Sequence, residues 1–208
     1  MANPSPWPII HAERSALLED LENLKDNQWA TRSLCPAWSV RDVFGHMTAT
    51  AKMTPAKFVS GWAGSGFRFH KMNEKNAARE AATPPAEGLA EFRRHLNDTT
   101  SPPGPIDAML GEAVVHGEDI RRPLGIPHQY PNDAVIRVAD FYKASNLLLG
   151  SKRRVDGVTL RATDTDWSWG SGPEVSGPIL SLVLAMTGRT AAVEDLSGEG
   201  LTTLRKRM

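Results

Sequence analysis

Two residues that could do chemistry stand four positions apart in the second half of the chain. Glu112 and His116 lie in the segment MLGEAVVHGEDIRRPLG, residues 109–125. Side chains four residues apart lie on the same face of an α-helix, one turn from each other. One interpretation is a weak ion pair on the helix surface, which is the common role of such a pair. The other is that one rigid helix supplies two ligands to a divalent metal ion.

A third metal ligand would have to come from another helix, and His46 is the candidate that the helical pattern favours. At 100° per residue, Glu112 and His116 lie beside the apolar stripe of their helix, and His46 lies beside the stripe of an earlier one. Helical bundles place metal sites between such facing helices. Two imidazoles and a carboxylate suit zinc, and also nickel or ferrous iron. Asp119 continues the row and could accept a hydrogen bond from a ligand imidazole or point towards a metal-bound ligand.

The sequence leaves alternatives to this ligand set open. His95 is a rival third ligand on pattern alone, and His46 could equally be a hydrogen-bonded structural histidine. Cys35 has no histidine near it in the sequence, which weakens its case as a catalytic nucleophile and favours a small buried residue. We therefore expect any thiol chemistry to use a bound cofactor thiol and not Cys35.

Amphipathic helices must position these side chains. Leucines at positions 17, 18, 21 and 24 recur with helical spacing, which predicts a first helix over about 11–27. Ser39 and Asp42 form a capping-box pattern, which predicts that a second helix begins at Val40. Pro55 is expected to end or kink that helix.

Further helical patterns follow along the chain. One falls near 86–98, the next begins near Pro105 and ends in RRPLG, and another falls near 132–149. Residues 60–85 have weak periodicity and are interpreted as a long connection with a short helix near 73–82. These patterns predict an up-down bundle of four main helices.

The composition changes after residue 150. The segment RVDGVTLRATDTDWSWGSGPEVSG is rich in β-branched residues, tryptophan and glycine, which predicts two or three short strands. An apolar helix in GPILSLVLAMTGR and one further short helix are expected to follow. The sequence therefore predicts a mainly α chain with two domains, a four-helix bundle over residues 1–150 and a small α+β domain over residues 151–208.

Composition indicates an ordinary globular protein and limits its partners. Of its 208 residues, 40% are hydrophobic, and 24 basic side chains balance 24 acidic ones. This zero balance gives no electrostatic case for nucleic acid or an anionic membrane, so we expect neither as a partner. A single cysteine, no signal-peptide pattern and no apolar run long enough to span a bilayer favour a cytoplasmic location.

Two motifs, in this order, resemble the mycothiol-dependent maleylpyruvate isomerase family. The first is CPAWSVRDVFGH, preceded by a tryptophan, and the second is EAVVHGEDIRRPLG. The tail VTLRATDTDWSWGSGPEVSGPILSLVLAMTGR is similar to the small C-terminal domain of many members. The resemblance implies a DinB-like metal-binding four-helix bundle with a small α+β C-terminal domain. It also implies metal ligands at His46, Glu112 and His116, while Ala37 stands where glycine is common in the family.

The resemblance further implies an activity. Members use a divalent metal, most often zinc, to activate a low-molecular-weight thiol such as mycothiol, because a coordinated thiol becomes a nucleophilic thiolate. The implied partners are a small thiol and a small electrophilic substrate that is isomerised or receives the sulfur, and the pattern is compatible with a homodimer. An arginine of the C-terminal domain is implicated in the isomerase, and Arg161 and Arg189 are candidates because a dicarboxylate would bind a guanidinium.

Two other functions compete with this one. A binding protein, with or without metal, could hold a small molecule without turning it over, and a helical interaction module could use the Glu112–His116 pair structurally. Stoichiometric metal in the purified protein would exclude the structural module. Thiol consumption that is lost on chelation would separate an enzyme from a binding protein.

Overall fold

A computed structural model describes residues 4–147 and 149–208 of the chain. Helices dominate both parts of the chain, and a small sheet lies in the second part, which confirms the predicted mainly α class. The described residues divide between His128 and Gln129 into two units. A search of the described residues finds no helix that is both long and apolar enough to cross a membrane.

Six α-helices build the described residues of the first unit. They are α1 (Trp7–Glu22), α2 (Val40–Ala51), α3 (Pro55–Gly64), α4 (Phe69–Ala81), α5 (Pro85–Arg94) and α6 (Asp107–Leu124), and a short 3-10 helix covers Asp26–Ala30. Helices α1 and α2 each pack against both α5 and α6, so these four helices enclose a bundle core, and α4 packs along α2. The core includes Leu17, Leu21, Phe44, Phe92 and Ile120.

Local signals fix the ends of the two helices that carry the candidate ligands. Helix α2 begins at Val40 as predicted, because the Asp42 N–H donates to Ser39 Oγ and the Ser39 N–H donates to Asp42 Oδ2. Helix α6 ends before Gly125, whose φ of 67° lies in the left-handed region that favours glycine. The sequence therefore determines where each of these helices stops or starts.

The predicted long connection over residues 60–85 is wrong in extent, because most of it is helical. Pro55 neither ends nor kinks α2, which already ends at Ala51. It is instead the first residue of α3, where the Lys57 N–H donates to Thr54 Oγ1. Helix α3 buries no residue, and α4 buries only Met72 and Ala77 among its described residues. Such narrow buried faces leave little apolar periodicity to detect.

Gly45 allows α2 and α4 to approach closely, next to the candidate ligand His46. A Cβ atom at Gly45 would lie 2.6 Å from the Ala77 carbonyl oxygen and 2.9 Å from the Ala81 nitrogen. Both neighbours are backbone atoms of a helix, so neither can move without shifting α4. The spacing of the two helices therefore depends on the missing side chain.

We expect Gly45→Ala to lower the free energy of unfolding by about 1–3 kcal/mol, because the added methyl group overpacks this contact. Gly64→Ala is the matched control, since no atom lies within 4 Å of a Cβ at Gly64. That change should be neutral or stabilising by up to about 1 kcal/mol through helix propensity. Chemical denaturation measures both, and a stabilised Gly45→Ala protein would contradict the close contact.

The second unit combines short helices with a mixed three-stranded sheet. Its elements are α7 (Asn132–Ala144), α8 (Ser151–Arg154), β1 (Thr159–Ala162), β2 (Ser168–Gly170), β3 (Glu174–Gly177), α9 (Ile179–Met186) and α10 (Leu201–Arg205), with a 3-10 helix at Thr190–Asp195. The strand order is β2-β1-β3, with β1 antiparallel to β2 and parallel to β3. Leu160 in β1 pairs with Trp169 and Val175, which matches the predicted short strands.

Helix α7 differs from its predicted placement. It ends at Ala144, whereas the pattern predicted a helix to 149, and residue 148 of that prediction lies outside the described residues. It packs against α8 and α9, and the division of the described residues into two units falls before it. An apolar stripe indicates that a helix is buried but does not indicate its partner, so the domain boundary at 150 stays a prediction.

Candidate metal centre

Packing between α2 and α6 brings two of the three predicted ligands together. His46 lies on α2, and Glu112 and His116 occupy successive turns of α6. The imidazole rings of His46 and His116 are 4.9 Å apart between centroids, at an interplanar angle of 76°. Two imidazoles this close, from two separate helices, could both reach one ion.

Trp38 packs against both histidines. Its ring centroid lies 5.2 Å from that of His46 and 6.4 Å from that of His116. The segment before α2 holds it in place, because the Trp38 N–H donates to the Cys35 carbonyl oxygen and the Ser33 N–H donates to the Trp38 carbonyl oxygen. No role for Trp38 was predicted from the sequence, although its place in the CPAWSV motif could have indicated that it belongs to the site.

Asp119 makes the hydrogen bond that its position in the sequence suggested. Its Oδ2 lies 2.7 Å from His116 Nδ1, and the carboxylate is fully buried. When the Asp119 carboxylate is ionised it can only accept, and the Nδ1 of His116 then carries the proton. The lone pair of Nε2 is then available to a metal ion, and the ring orientation is fixed.

The Glu112 carboxylate is buried without a hydrogen bond. Its side chain is 10% exposed, both oxygens are inaccessible, and neither accepts a hydrogen bond from the described residues. Arg14 of α1 approaches to 4.0 Å between Nη2 and Oε2, and neither terminal nitrogen of its guanidinium donates a hydrogen bond within the described residues. Burial raises the pKa of Glu112, and the charges of Arg14 and His116 oppose this rise. The nearby Thr50 hydroxyl donates to the His46 carbonyl oxygen and not to this carboxylate.

These features fit a divalent metal ion. A buried carboxylate without hydrogen bonds is costly, because it has lost water and gained no donor. Glu112 lies one turn from His116 and would recover that free energy as a metal ligand. Two imidazoles and one carboxylate projecting from facing helices form the kind of donor set that bundles use for metals.

A second donor group shares His116. Ligand atoms of Cys35, His116 and Asp119 all lie within 4.8 Å of one another, and this is the one such group of three among the described residues. The segment before α2 is tied to α6 here, because the Leu34 N–H donates to the Asp119 carbonyl oxygen. The proximity of Cys35 to His116 could not be predicted from the sequence, because Cys35 has no histidine beside it along the chain.

The other candidate residues lie in different surroundings. The rival ligand His95 has Nδ1 2.7 Å from Asp98 Oδ2 and Nε2 3.5 Å from Glu91 Oε1, which accounts for both ring nitrogens without a metal. In the second unit, Arg161 is exposed and donates to Glu174 Oε2 at 2.7 Å, and Arg189 is buried and donates to the Thr187 carbonyl oxygen.

The fold and the site together define a helical bundle in which two imidazoles meet between two helices, with a buried carboxylate one turn from one of them. Residues 10–103 match the family described as "Mycothiol maleylpyruvate isomerase N-terminal domain", so this segment is similar to that domain. The matched segment contains His46 and ends before Glu112 and His116. The resemblance predicted from the two motifs is thereby confirmed.

Solved structures show the same fold over nearly the whole chain. The crystal structure of the mycothiol-dependent maleylpyruvate isomerase and that of a histidine-to-alanine mutant of it each match with a TM-score of 0.67 at 13% identity. Each match covers 93% of this chain and 91% of the other. None of the curated proteins compared with the chain matches it.

Proposed function

We propose that this protein is a divalent-metal-dependent enzyme that uses a low-molecular-weight thiol, such as mycothiol, to isomerise or transfer sulfur to a small electrophilic substrate. The observation that carries the proposal is the Glu112 carboxylate, buried without a hydrogen bond one turn from His116, whose ring faces that of His46. The structurally similar mycothiol-dependent maleylpyruvate isomerase supports the choice of thiol.

His46, Glu112 and His116 would hold the ion, with zinc the first candidate and nickel or iron the alternatives. A bound divalent ion lowers the pKa of a thiol and so supplies a thiolate near neutral pH. Asp119 keeps the His116 ring in the tautomer and orientation that ligation needs. Trp38 contacts both imidazoles and would help to hold their rings in place.

The enzymatic proposal is tested with purified protein, mycothiol and maleylpyruvate. We expect substrate to be isomerised, or thiol to be consumed with a model electrophile, and we expect either reaction to stop on chelation. Stoichiometric metal and thiol binding without turnover would instead identify a binding protein. A protein without metal would exclude the proposed enzyme and would leave a metal-free binding protein or a structural module.

Cobalt substitution tests which donor set binds the metal. We expect the Cys35→Ser protein to retain its metal, because the proposed ligands are His46, Glu112 and His116. The chain has a single cysteine, so a thiolate-to-cobalt charge-transfer band in the absence of added thiol could come only from Cys35. Absorption spectra of the cobalt-loaded wild type and Cys35→Ser proteins should therefore be alike. A band that disappears in Cys35→Ser would assign the ion to Cys35, His116 and Asp119 instead.

A further inference from the structure

The turn between α3 and α4 exposes an unusual amount of apolar surface. Helix α3 buries none of its residues, and Val59, Trp62 and Phe67 are 57%, 37% and 67% exposed. Phe58 and Phe69 are half-buried beside them. We call these five residues the aromatic patch. Exposed apolar groups that cluster in this way mark interaction sites more often than scattered ones do.

The four aromatic rings of the patch contact one another. The Phe58 and Trp62 rings stack with centroids 6.3 Å apart, Trp62 meets Phe67 edge to face at 5.1 Å, and Phe58 lies 6.2 Å from Phe69. Gly66 and Phe67 have φ values of 66° and 62°, both in the left-handed region. A phenylalanine rarely adopts this conformation. At this turn, the conformation leaves the Phe67 ring exposed.

Exposed basic side chains flank the residues of the patch along the sequence. Between residues 57 and 75 the chain carries Lys57, Arg68, Lys71 and Lys75 against a single acid, Glu74, and all four basic side chains are exposed. Within the described residues Arg68, Lys71 and Lys75 form no ion pair. The zero charge of the whole chain therefore conceals a local excess of positive charge.

We propose that the aromatic patch docks onto an anionic phospholipid surface. Aromatic side chains favour the boundary between headgroups and acyl chains, where the ring is buried and nearby polar groups remain wet. Lys and Arg beside them are attracted to anionic headgroups within a Debye length. Docking in this mode needs no membrane-crossing helix and does not depend on the proposed metal centre. It reverses the expectation, based on total charge, that the chain has no membrane partner.

The local charge argues against a second copy of the chain as the occupant. A two-fold symmetric dimer would place the same patch on both sides of the interface and bring the basic side chains of the two copies together. An anionic surface is instead complementary to them. The exposed ring of Phe67 at a turn also suits insertion into a soft surface, since no groove is required to receive it.

Cosedimentation of the full chain with lipid vesicles tests the proposal. We expect binding to vesicles of phosphatidylcholine mixed with phosphatidylserine, no binding to phosphatidylcholine alone, and weaker binding as salt is raised. Phe67→Asn should weaken binding about tenfold or more, because Asn tolerates the left-handed turn but removes the ring. Arg68→Gln and Lys71→Gln should each weaken it about fivefold.

Leu147→Asn is the matched control, because Leu147 is also an exposed apolar side chain, at 66%, but lies in the second unit. Its vesicle binding should equal that of wild type. Absence of binding to anionic vesicles, equal binding to both vesicle types, or an equal loss in Leu147→Asn would each overturn the proposal. Self-association without lipid that disappears in Phe67→Asn, with no vesicle binding, would assign the patch to a second copy and overturn it too.

Discussion

Chelation of the metal should lower the melting temperature of the purified protein by about 5–10 °C. A ligand present at a hundredfold excess over its dissociation constant stabilises the native state by about 2.7 kcal/mol. In a chain of this length, 1 kcal/mol corresponds to roughly 2–4 °C. Because His46 and His116 come from α2 and α6, the ion would connect two bundle helices. Its loss should therefore destabilise the whole first unit.

Variants of the proposed ligands sharpen this measurement. His46→Ala and Glu112→Gln should each lose most of the metal and most of the sensitivity to chelator. Glutamine is preferred to alanine at position 112 because it keeps a polar group facing the buried Arg14. His95→Ala is the control, since His95 pairs with Asp98 and Glu91 and should leave metal content and chelator sensitivity unchanged.

A structural role for the Glu112–His116 pair predicts a different result. An ion pair four residues apart on a helix contributes about 0.2–0.5 kcal/mol and depends neither on chelator nor on His46. If the wild type contains no metal after expression with zinc or nickel supplied, and its melting temperature ignores chelator, the pair is structural. The proposed enzymatic function is then refuted as well.

Features set by neighbouring residues could be predicted from the sequence. The start of α2 depends on Ser39 and Asp42, which are three residues apart and satisfy each other's backbone N–H groups. The placement of His46 and His116 at the edges of two apolar stripes follows from helical geometry. Their convergence required only that the two stripes face one core, which the packing of α2 on α6 provides.

Features that depend on distant parts of the chain could not be predicted. The approach of Cys35 to His116 and Asp119 arises because the segment before α2 is tied to α6 by a backbone hydrogen bond. The proximity of Arg14 to Glu112 depends on how α1 lies against α6. Neither contact has a local sequence signature, since residues far apart along the chain meet only through tertiary packing.

Arg121 is expected to contribute strongly to the stability of the contact between α1 and α6. It is fully buried, and its Nε donates to Asp20 Oδ2 at 2.7 Å while Nη1 lies 4.0 Å from Glu13 Oε2. Glu13 is also buried, and His128 Nε2 lies 2.7 Å from the same oxygen. One arginine of α6 therefore compensates two carboxylates of α1, one of which has little access to water.

We expect Arg121→Ala to lower the free energy of unfolding by about 3–5 kcal/mol, because it removes the donor of Asp20 and one of the two basic side chains beside the buried Glu13 carboxylate. Arg93→Ala is the matched control, since Arg93 of α5 also pairs with a carboxylate of α1, Glu22, but both side chains are exposed. That change should cost at most about 1 kcal/mol. Chemical denaturation of the two variants compares them directly. If both variants lose the same small amount of stability, water reaches Asp20 and Glu13 once the guanidinium is removed. In that case apolar contacts, and not the charge of Arg121, hold α1 against α6.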